Sequence, residues 1–398
     1  MSNIPPSQPI LTADQLRQAA ADETRLRYLL MDLANRLPDV ISLGQGDPYL
    51  DTPPHVIAAA QDAIRNGRAD IPAPPDGLPE LREAIACKLQ RDNHIPAEAY
   101  NLLVTNGSQE ALYLVVQGLL DPGDEILVPD PRYSGYDQAI QQAGGKVVFL
   151  PTMPEHDFEL QPQVVAESAT AHAKVLLLIT PGNPTASIIS PTNLRAIANI
   201  ARERGLIVIS DEIYEKHIYP PGEHLSIASL SGMFERTVTI NGFSKSYAMT
   251  GWRVGYVAAP SEFIRVLTTL KRSVSRRTTT VSQYAALAAL NGPQDFLEGY
   301  NAIYSRRRAI LLNGLRQLGF YCAEPLGAFF IFVNAAATGM PALELCYRLL
   351  NEGHVLIFPG DSFGEKWTDW LRVSYLQDES ALQEALARIA RVLKRKEV

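Results

Sequence analysis

Short apolar runs that stop at polar turn residues recur between Pro54 and Asn291, with helix-patterned stretches between them. A continuous apolar strand has to be buried on both faces. The alternation therefore calls for a mostly parallel sheet covered by helices on both sides, with ligands gathered at the strands' carboxyl ends. Four such ends carry reactive or polar residues. LLVT runs into Gly107, Ser108 and Gln109 at the mouth of a helix, and LLLI is followed by Asn183. LIVIS leads into Asp211 and Tyr214, and TVTI into Ser244, Lys245 and, eight residues further on, Arg253.

A lysine in a Gly/Ser turn is ordinarily a solvated surface residue. Here it ends a buried strand with a guanidinium close by in sequence, a pairing that suits a bound carbonyl compound carrying a phosphate. The amine forms a Schiff base and the guanidinium grips the phosphate through paired hydrogen bonds. Pyridoxal 5'-phosphate is such a compound. Its chemistry needs a carboxylate against the pyridine nitrogen, so that the ring can act as an electron sink, and Asp211 suits that position. Tyr214 can offer its hydroxyl to the phenolic oxygen. The free amides of Gly107, Ser108 and Gln109 at a helix N-terminus make a natural phosphate seat, although most helix openings bind nothing. Asn183-Pro184 is, by itself, an ordinary turn signal.

The ordered set TNGSQEAL, PRYSGY, NPT, DEIY, SKSYAMTGWRVGY and WLRVSY resembles the class I and II aminotransferases, pyridoxal-phosphate enzymes of fold type I. The resemblance runs from about Ile41 to the end of the chain. It implies a seven-stranded, mostly parallel sheet in a large domain, a smaller α+β domain, and a homodimer with its sites at the interface. It also implies roles. Lys245 bonds the cofactor and shuttles the proton, Asp211 pairs with the ring nitrogen, and Tyr214 and Asn183 contact the phenolic oxygen. Gly107, Ser108, Gln109, Ser244 and Arg253 surround the phosphate, and Tyr133 stacks on the pyridine ring. Arg372 grips the substrate α-carboxylate, with Gly46 and Asn183 beside it. The activity implied is transfer of an amino group from an L-amino acid to a 2-oxo acid by a ping-pong route. A β-eliminating lyase on the same scaffold remains open, as does a non-catalytic effector-binding domain.

Three departures from the family pattern stand out. Pro72 occupies the place of a tyrosine that reaches the partner subunit's phosphate. Arg276 or Arg277 can stand in for that hydroxyl or meet a substrate's distal carboxylate. NPTAS replaces the usual Asn-Pro-Thr-Gly, a change expected to be tolerated. Relatives that accept aspartate through position 109 carry lysine there, and Gln109 supplies no such charge. Aromatic, branched-chain or small neutral substrates are therefore expected ahead of aspartate, with glutamate still open as a donor.

GQGDP lacks the third glycine and the preceding long strand of a dinucleotide loop. With 36 basic against 43 acidic residues the net charge is −7, which argues against a nucleic-acid footprint. Cys87, Cys322 and Cys346 are too few and too scattered for a disulfide framework or a zinc site, and the seven histidines show no ligand spacing, so no metal is expected. No signal-like or bilayer-length apolar run is present, and a cytoplasmic setting is expected. Thr12 to Leu37 is helix-patterned. Residues 54–291 are expected to form the large domain, with residues 1–53 and 292–398 supplying the N-terminal segment and the small domain. Arg372 would then face Lys245 across a cleft that closes on substrate.

Overall fold

The computed structural model describes residue 18 and residues 23–394. Part of the helix-patterned N-terminal stretch lies outside the described residues; the rest is helical over Glu23–Ala34 and precedes a two-residue strand, β1 (Ile41–Ser42). The next strands are β2 (Leu102–Thr105), β3 (Glu125–Asp130), β4 (Lys146–Pro151), β5 (Ala173–Ile179), β6 (Ile207–Asp211), β7 (Thr237–Gly242) and β8 (Gly255–Ala258). They form one seven-stranded sheet in the order β2-β8-β7-β6-β5-β3-β4. All neighbours are parallel except β8, which runs against both β2 and β7.

The apolar runs are continuous because both faces of this sheet are covered. Side chains alternate along a strand, so on β5 Val175 and Leu177 enter one core cluster while Leu176 and Leu178 enter the other. On β3, Ile126 and Val128 go one way and Leu127 the other. The helix Ser108–Leu119 contributes Ala111, Leu112, Val115 and Leu119 to the first face. The helix Pro191–Glu203 supplies Leu194, Ile197, Ala198 and Ala201 to the second.

Beyond the long helix Asp295–Gln317 come β9 (Tyr321–Cys322), β10 (Phe330–Asn334), β11 (Val355–Leu356), β12 (Phe358–Pro359) and β13 (Trp370–Ser374). Four of them form an antiparallel sheet in the order β12-β13-β10-β9, while β11 pairs in parallel with β1. That pairing ties the segment before Pro54 to the C-terminal part of the chain. No helix among the described residues is long and apolar enough to cross a membrane.

A buried polar network sits behind β6. Lys88, on the helix Pro79–Asn93, donates to Asn93 Oδ1 at 2.6 Å and pairs with Glu215, which also accepts from Asn93. Glu212 accepts from the hydroxyls of Ser210 and Ser226, both at 2.8 Å, and faces His224. Glu212, Glu215 and His224 lie close enough together to resemble a metal-ligand group, but their oxygens are already taken by a lysine, an asparagine and two serines. Lys88→Met would strand the Glu215 carboxylate in the interior. It is expected to cost about 3–5 kcal/mol in chemical denaturation, and Lys88→Met with Glu215→Gln should recover most of that loss.

Candidate active site

The parallel strands deliver their carboxyl ends to one rim of the sheet. β8 runs the opposite way, so its beginning reaches that same rim. This is why Arg253, two residues before β8, comes to stand beside Lys245, three residues after β7. A cavity of about 330 Å³ opens there and is lined by Lys245, Asp211, Tyr214, Asn183, Tyr133, Ser108, Gln109, Ser244, Arg253, Gly46 and Arg372. Of the residues to which the family resemblance gives cofactor or substrate roles, Gly107 alone is not itself in the lining, and it backs Arg253 directly; the alternative candidates Arg276 and Arg277 are outside it as well.

The Lys245 side chain is 16% exposed. Its Nζ donates to the Gly46 carbonyl at 2.8 Å and to Asp47 Oδ1 at 2.9 Å. Burial lowers its pKa; Asp47 opposes the shift, and the like charges of Arg372 and Arg253 add to it. Asp211, the last residue of β6, is buried and its pKa is pushed up to about 6 by that burial. Its Oδ1 accepts from the Ile213 amide at 3.2 Å and its Oδ2 from the Tyr136 hydroxyl at 3.0 Å. Tyr214 is held by edge-on contacts with Phe329 and Phe330, and burial raises its pKa.

At the other end of the cavity the helix Ser108–Leu119 begins at Gly107, whose φ of 79° lies in the left-handed region that favours glycine. A Cβ at Gly107 would come within 2.5 Å of Arg253 Nη2, and one at Gly255 within 2.8 Å of the Ser108 amide nitrogen. Two glycines therefore let the guanidinium, the β8 backbone and the helix N-terminus close on one another. Arg253 Nη1 donates to the Thr250 carbonyl at 3.0 Å, which fixes the fork. The positive helix end, one guanidinium and the hydroxyls of Ser108, Ser244 and Thr250 make a seat for an anion.

Arg372 comes from β13 of the antiparallel sheet and is buried. Its guanidinium lies 4.3 Å from the Phe330 ring centroid and 4.7 Å from that of Phe363. Nη1 donates to Asn183 Oδ1 at 2.9 Å and Nη2 to the Gly44 carbonyl, while Nε has no partner. Burial, then the like charge of Arg27, pulls its pKa down to about 9. Among the described residues no carboxylate pairs with it, so a buried cation with one open edge faces the cavity.

Sequence reasoning misses several neighbours. Tyr136 lies one helical turn beyond Tyr133 within PRYSGY, and that spacing is the available signal. His217 reads from sequence only as one of seven scattered histidines. It is buried, with one ring nitrogen 2.8 Å from Asn301 Oδ1 and the other 3.1 Å from the Lys245 carbonyl. Arg27 and Asp47 enter from segments whose local pattern reads as surface. Neither Arg276 nor Arg277 lines the cavity within this chain. Ala186, where relatives carry glycine, takes φ 57° and is fully buried, so the replacement is accommodated at a backbone cost of about 1–2 kcal/mol. Gln109 accepts a hydrogen bond from the Tyr133 hydroxyl at 3.2 Å.

The family model for aminotransferases of class I and II matches residues 38–389. An aspartate aminotransferase of Pyrococcus abyssi is 40% identical over 372 residues, covering 93% of this chain and 95% of that protein. Aromatic-amino-acid aminotransferase 2 of Thermococcus litoralis is 36% identical over 389 residues, covering 97% and 99%. The crystal structure of the aromatic aminotransferase from Pyrococcus horikoshii superposes with a TM-score of 0.88 at 39% identity, covering 92% of this chain and 99% of that one. A match over nearly the whole chain places it in the class I and II aminotransferase family, pyridoxal-phosphate-dependent enzymes of fold type I.

Proposed function

We propose that this aminotransferase moves an amino group from a neutral L-amino acid to a 2-oxo acid in two half-reactions, with neutral side chains favoured over aspartate. The observation that carries this reading is the convergence of Lys245, Asp211 and the separated guanidiniums of Arg253 and Arg372 on a single cavity. Pyridoxal phosphate supplies the carbonyl on which amines exchange and a ring that withdraws electrons. The residues fit it. The Gly107–Arg253 seat matches a phosphate, Asp211 a ring nitrogen, and Tyr214 and Asn183 a phenolic oxygen. Tyr133, in the cavity lining, is taken as the ring's stacking partner.

In this reading Lys245 Nζ is the amine that would hold the cofactor, and the same nitrogen would carry the proton taken from the substrate α-carbon. Its lowered pKa shifts the amine toward the unprotonated form relative to an exposed lysine, which suits that task. Arg372, braced by Asn183 and the phenylalanine rings, offers its remaining N–H edge to the α-carboxylate, with the Gly46 backbone alongside. Asp211, which no cation compensates among the described residues, would answer a protonated ring nitrogen. Tyr136 and the Ile213 amide hold its two oxygens in place.

The preference against aspartate rests on Gln109, which is neutral and already bonded to Tyr133. The named relatives divide between aspartate and aromatic amino acids, so the family alone does not decide the substrate. The reading also takes residues 54–291 as the large domain, the active unit as a homodimer with Arg276 or Arg277 available across its interface, and the setting as cytoplasmic. Arg372 and Lys245 belong to different sheets, and closure of the two bodies around substrate goes with it.

The test is the visible spectrum of the purified protein during titration with single amino acids and no acceptor. Conversion of the bound cofactor to its amine form by neutral amino acids, more readily than by aspartate, is expected. Release of ammonia with a keto acid and no such conversion would point to a lyase. Lys245→Ala should abolish the lysine-bound absorbance; an unchanged spectrum would move the bond to another lysine.

A second test uses the pH dependence of the cofactor-free protein. The folded pKa of Asp211, about 6, lies above its ordinary 3.8. The folded state therefore holds the extra proton between those values, and stability falls as pH rises through that window. A loss on the order of 2–3 kcal/mol is expected from pH 4 to 6.5, and Asp211→Asn should remove it. An identical profile in both proteins would mean that Asp211 is not buried uncompensated.

A further inference from the structure

The turn that carries Lys245 satisfies neighbouring carbonyls from within. The Phe243 carbonyl accepts from the Tyr247 and Met249 amides at 3.2 and 3.3 Å, and the Ser244 carbonyl from the Thr250 hydroxyl at 3.1 Å. The Lys245 carbonyl instead faces outward to His217, whose Nε2 lies 3.1 Å away. The other ring nitrogen, Nδ1, lies 2.8 Å from Asn301 Oδ1. Asn301 is itself oriented, because its Nδ2 donates to the Lys216 carbonyl at 2.8 Å and a carbonyl can only accept. Its oxygen is therefore the atom turned to His217, and Nδ1 must carry a proton to meet it. A neutral imidazole holds a single proton, which leaves Nε2 as a bare lone pair against the Lys245 carbonyl. Only the imidazolium donates to both partners.

The base of the ring is fixed in either state. The His217 amide donates to the Tyr214 carbonyl and its carbonyl accepts from the Ala328 amide, both at 2.9 Å. The ring is buried. Tyr304, on the same helix as Asn301, crosses it at 5.3 Å with a buried hydroxyl whose pKa is raised, and Phe329 of the segment entering β10 packs on it at 5.3 Å. The charged group facing it from the turn after β7 is the Lys245 ammonium. On its own segment Glu215 pairs with Lys88 and Lys216 with Asp92, and among the described residues no carboxylate pairs with His217. Burial pulls the ring's pKa below its ordinary 6.5, the bonds to Asn301 and the Lys245 carbonyl oppose that shift, and the Lys245 charge adds to it.

We propose that His217 is a positioning residue for Lys245, closing a hydrogen bond to the lysine's backbone carbonyl when its ring is protonated and opening it when the ring is neutral. The assignment rests on Lys245 as the reacting amine of the transamination reading. The bond is made to the main chain from which that amine is suspended, so it fixes where the side chain starts without touching substrate. Geometry at the start of a flexible side chain decides how often its tip is in reach of the reacting atom. The brace is closed on the acid side and is lost as pH rises through the ring's pKa.

Nuclear magnetic resonance of the loaded enzyme, with histidine rings labelled with nitrogen-15, reads the proton on each ring nitrogen. His217 is the one of the seven histidines whose signals vanish in His217→Gln and His217→Phe. At about pH 8 its single proton should sit on Nδ1, and toward about pH 5 Nε2 should gain one. A ring that carries its proton on Nε2 at about pH 8, or that stays neutral down to about pH 5, overturns the proposal. The rate of the half-reaction with a neutral amino acid gives a second reading over the same range. His217→Gln keeps an amide nitrogen for the Lys245 carbonyl at every pH, whereas His217→Phe keeps the ring packing and has no donor. The wild type is expected to match His217→Gln on the acid side and to fall about 3- to 10-fold below it on the alkaline side, where it meets His217→Phe. A wild-type rate in fixed ratio to both variants means that His217 only packs, and overturns the proposal. Wild-type enzyme that converts no amino acid overturns the transamination reading, and the ring spectrum still decides the brace.

Discussion

Positive charge that the fold does not neutralise is the constraint around which the site is built. Lys245, Arg253, Arg372 and Arg27 all face one cavity, and the described carboxylates there are Asp47, bonded to the lysine, and Asp211, some way beneath. Holding such charge out of water is unfavourable unless anions arrive to meet it. The sheet provides the rigidity that keeps these groups from collapsing onto internal partners, and burial on both faces provides the sheet. The anions that complete the arrangement come with a cofactor and with amino and oxo acids, so binding and stability are linked through the same charges.

Around those charges the protein sets its aromatic side chains and its backbone. Phe330, Phe358 and Phe363 pack about the Arg372 guanidinium. They exclude water without competing for its hydrogen bonds. Gly107 and Gly255 remove side chains where backbone and guanidinium must touch. Behind β6, the Lys88–Glu215 pair and the Glu212 cluster settle their own charges internally, so that the loop carrying Asp211 and Tyr214 rests on a closed network.

The strand ends are legible in the sequence because apolar runs stopping at Gly, Ser, Asn or Asp carry a local signal. That signal points to the mostly parallel sheet and puts Asp211, Lys245 and Arg253 on one rim. It also carries the family resemblance that singles out Arg372 and Tyr133. What stays hidden depends on long-range packing. Arg27 reaches Ser134 across 107 residues and His217 reaches Lys245 across 28, and neither helix periodicity nor turn chemistry encodes such a meeting. Tyr136 is within reach of the sequence, but a motif string does not show a hydroxyl aimed at Asp211. The left-handed Ala186 is visible in sequence only as a departure from glycine, not as a strained position.

The antiparallel course of β8 has a mechanical consequence. Lys245 and Arg253 are both held in the short connection between β7 and β8, so the distance between the amine and the guanidinium is fixed by one stretch of chain inside one sheet. Arg372 belongs to the other sheet and is joined to that connection only through noncovalent contacts. The structure thus sets the β7–β8 groups as one rigid unit and holds Arg372 on a second sheet that meets it only at the cavity, so a strain on one sheet need not reach the spacing of Lys245 and Arg253.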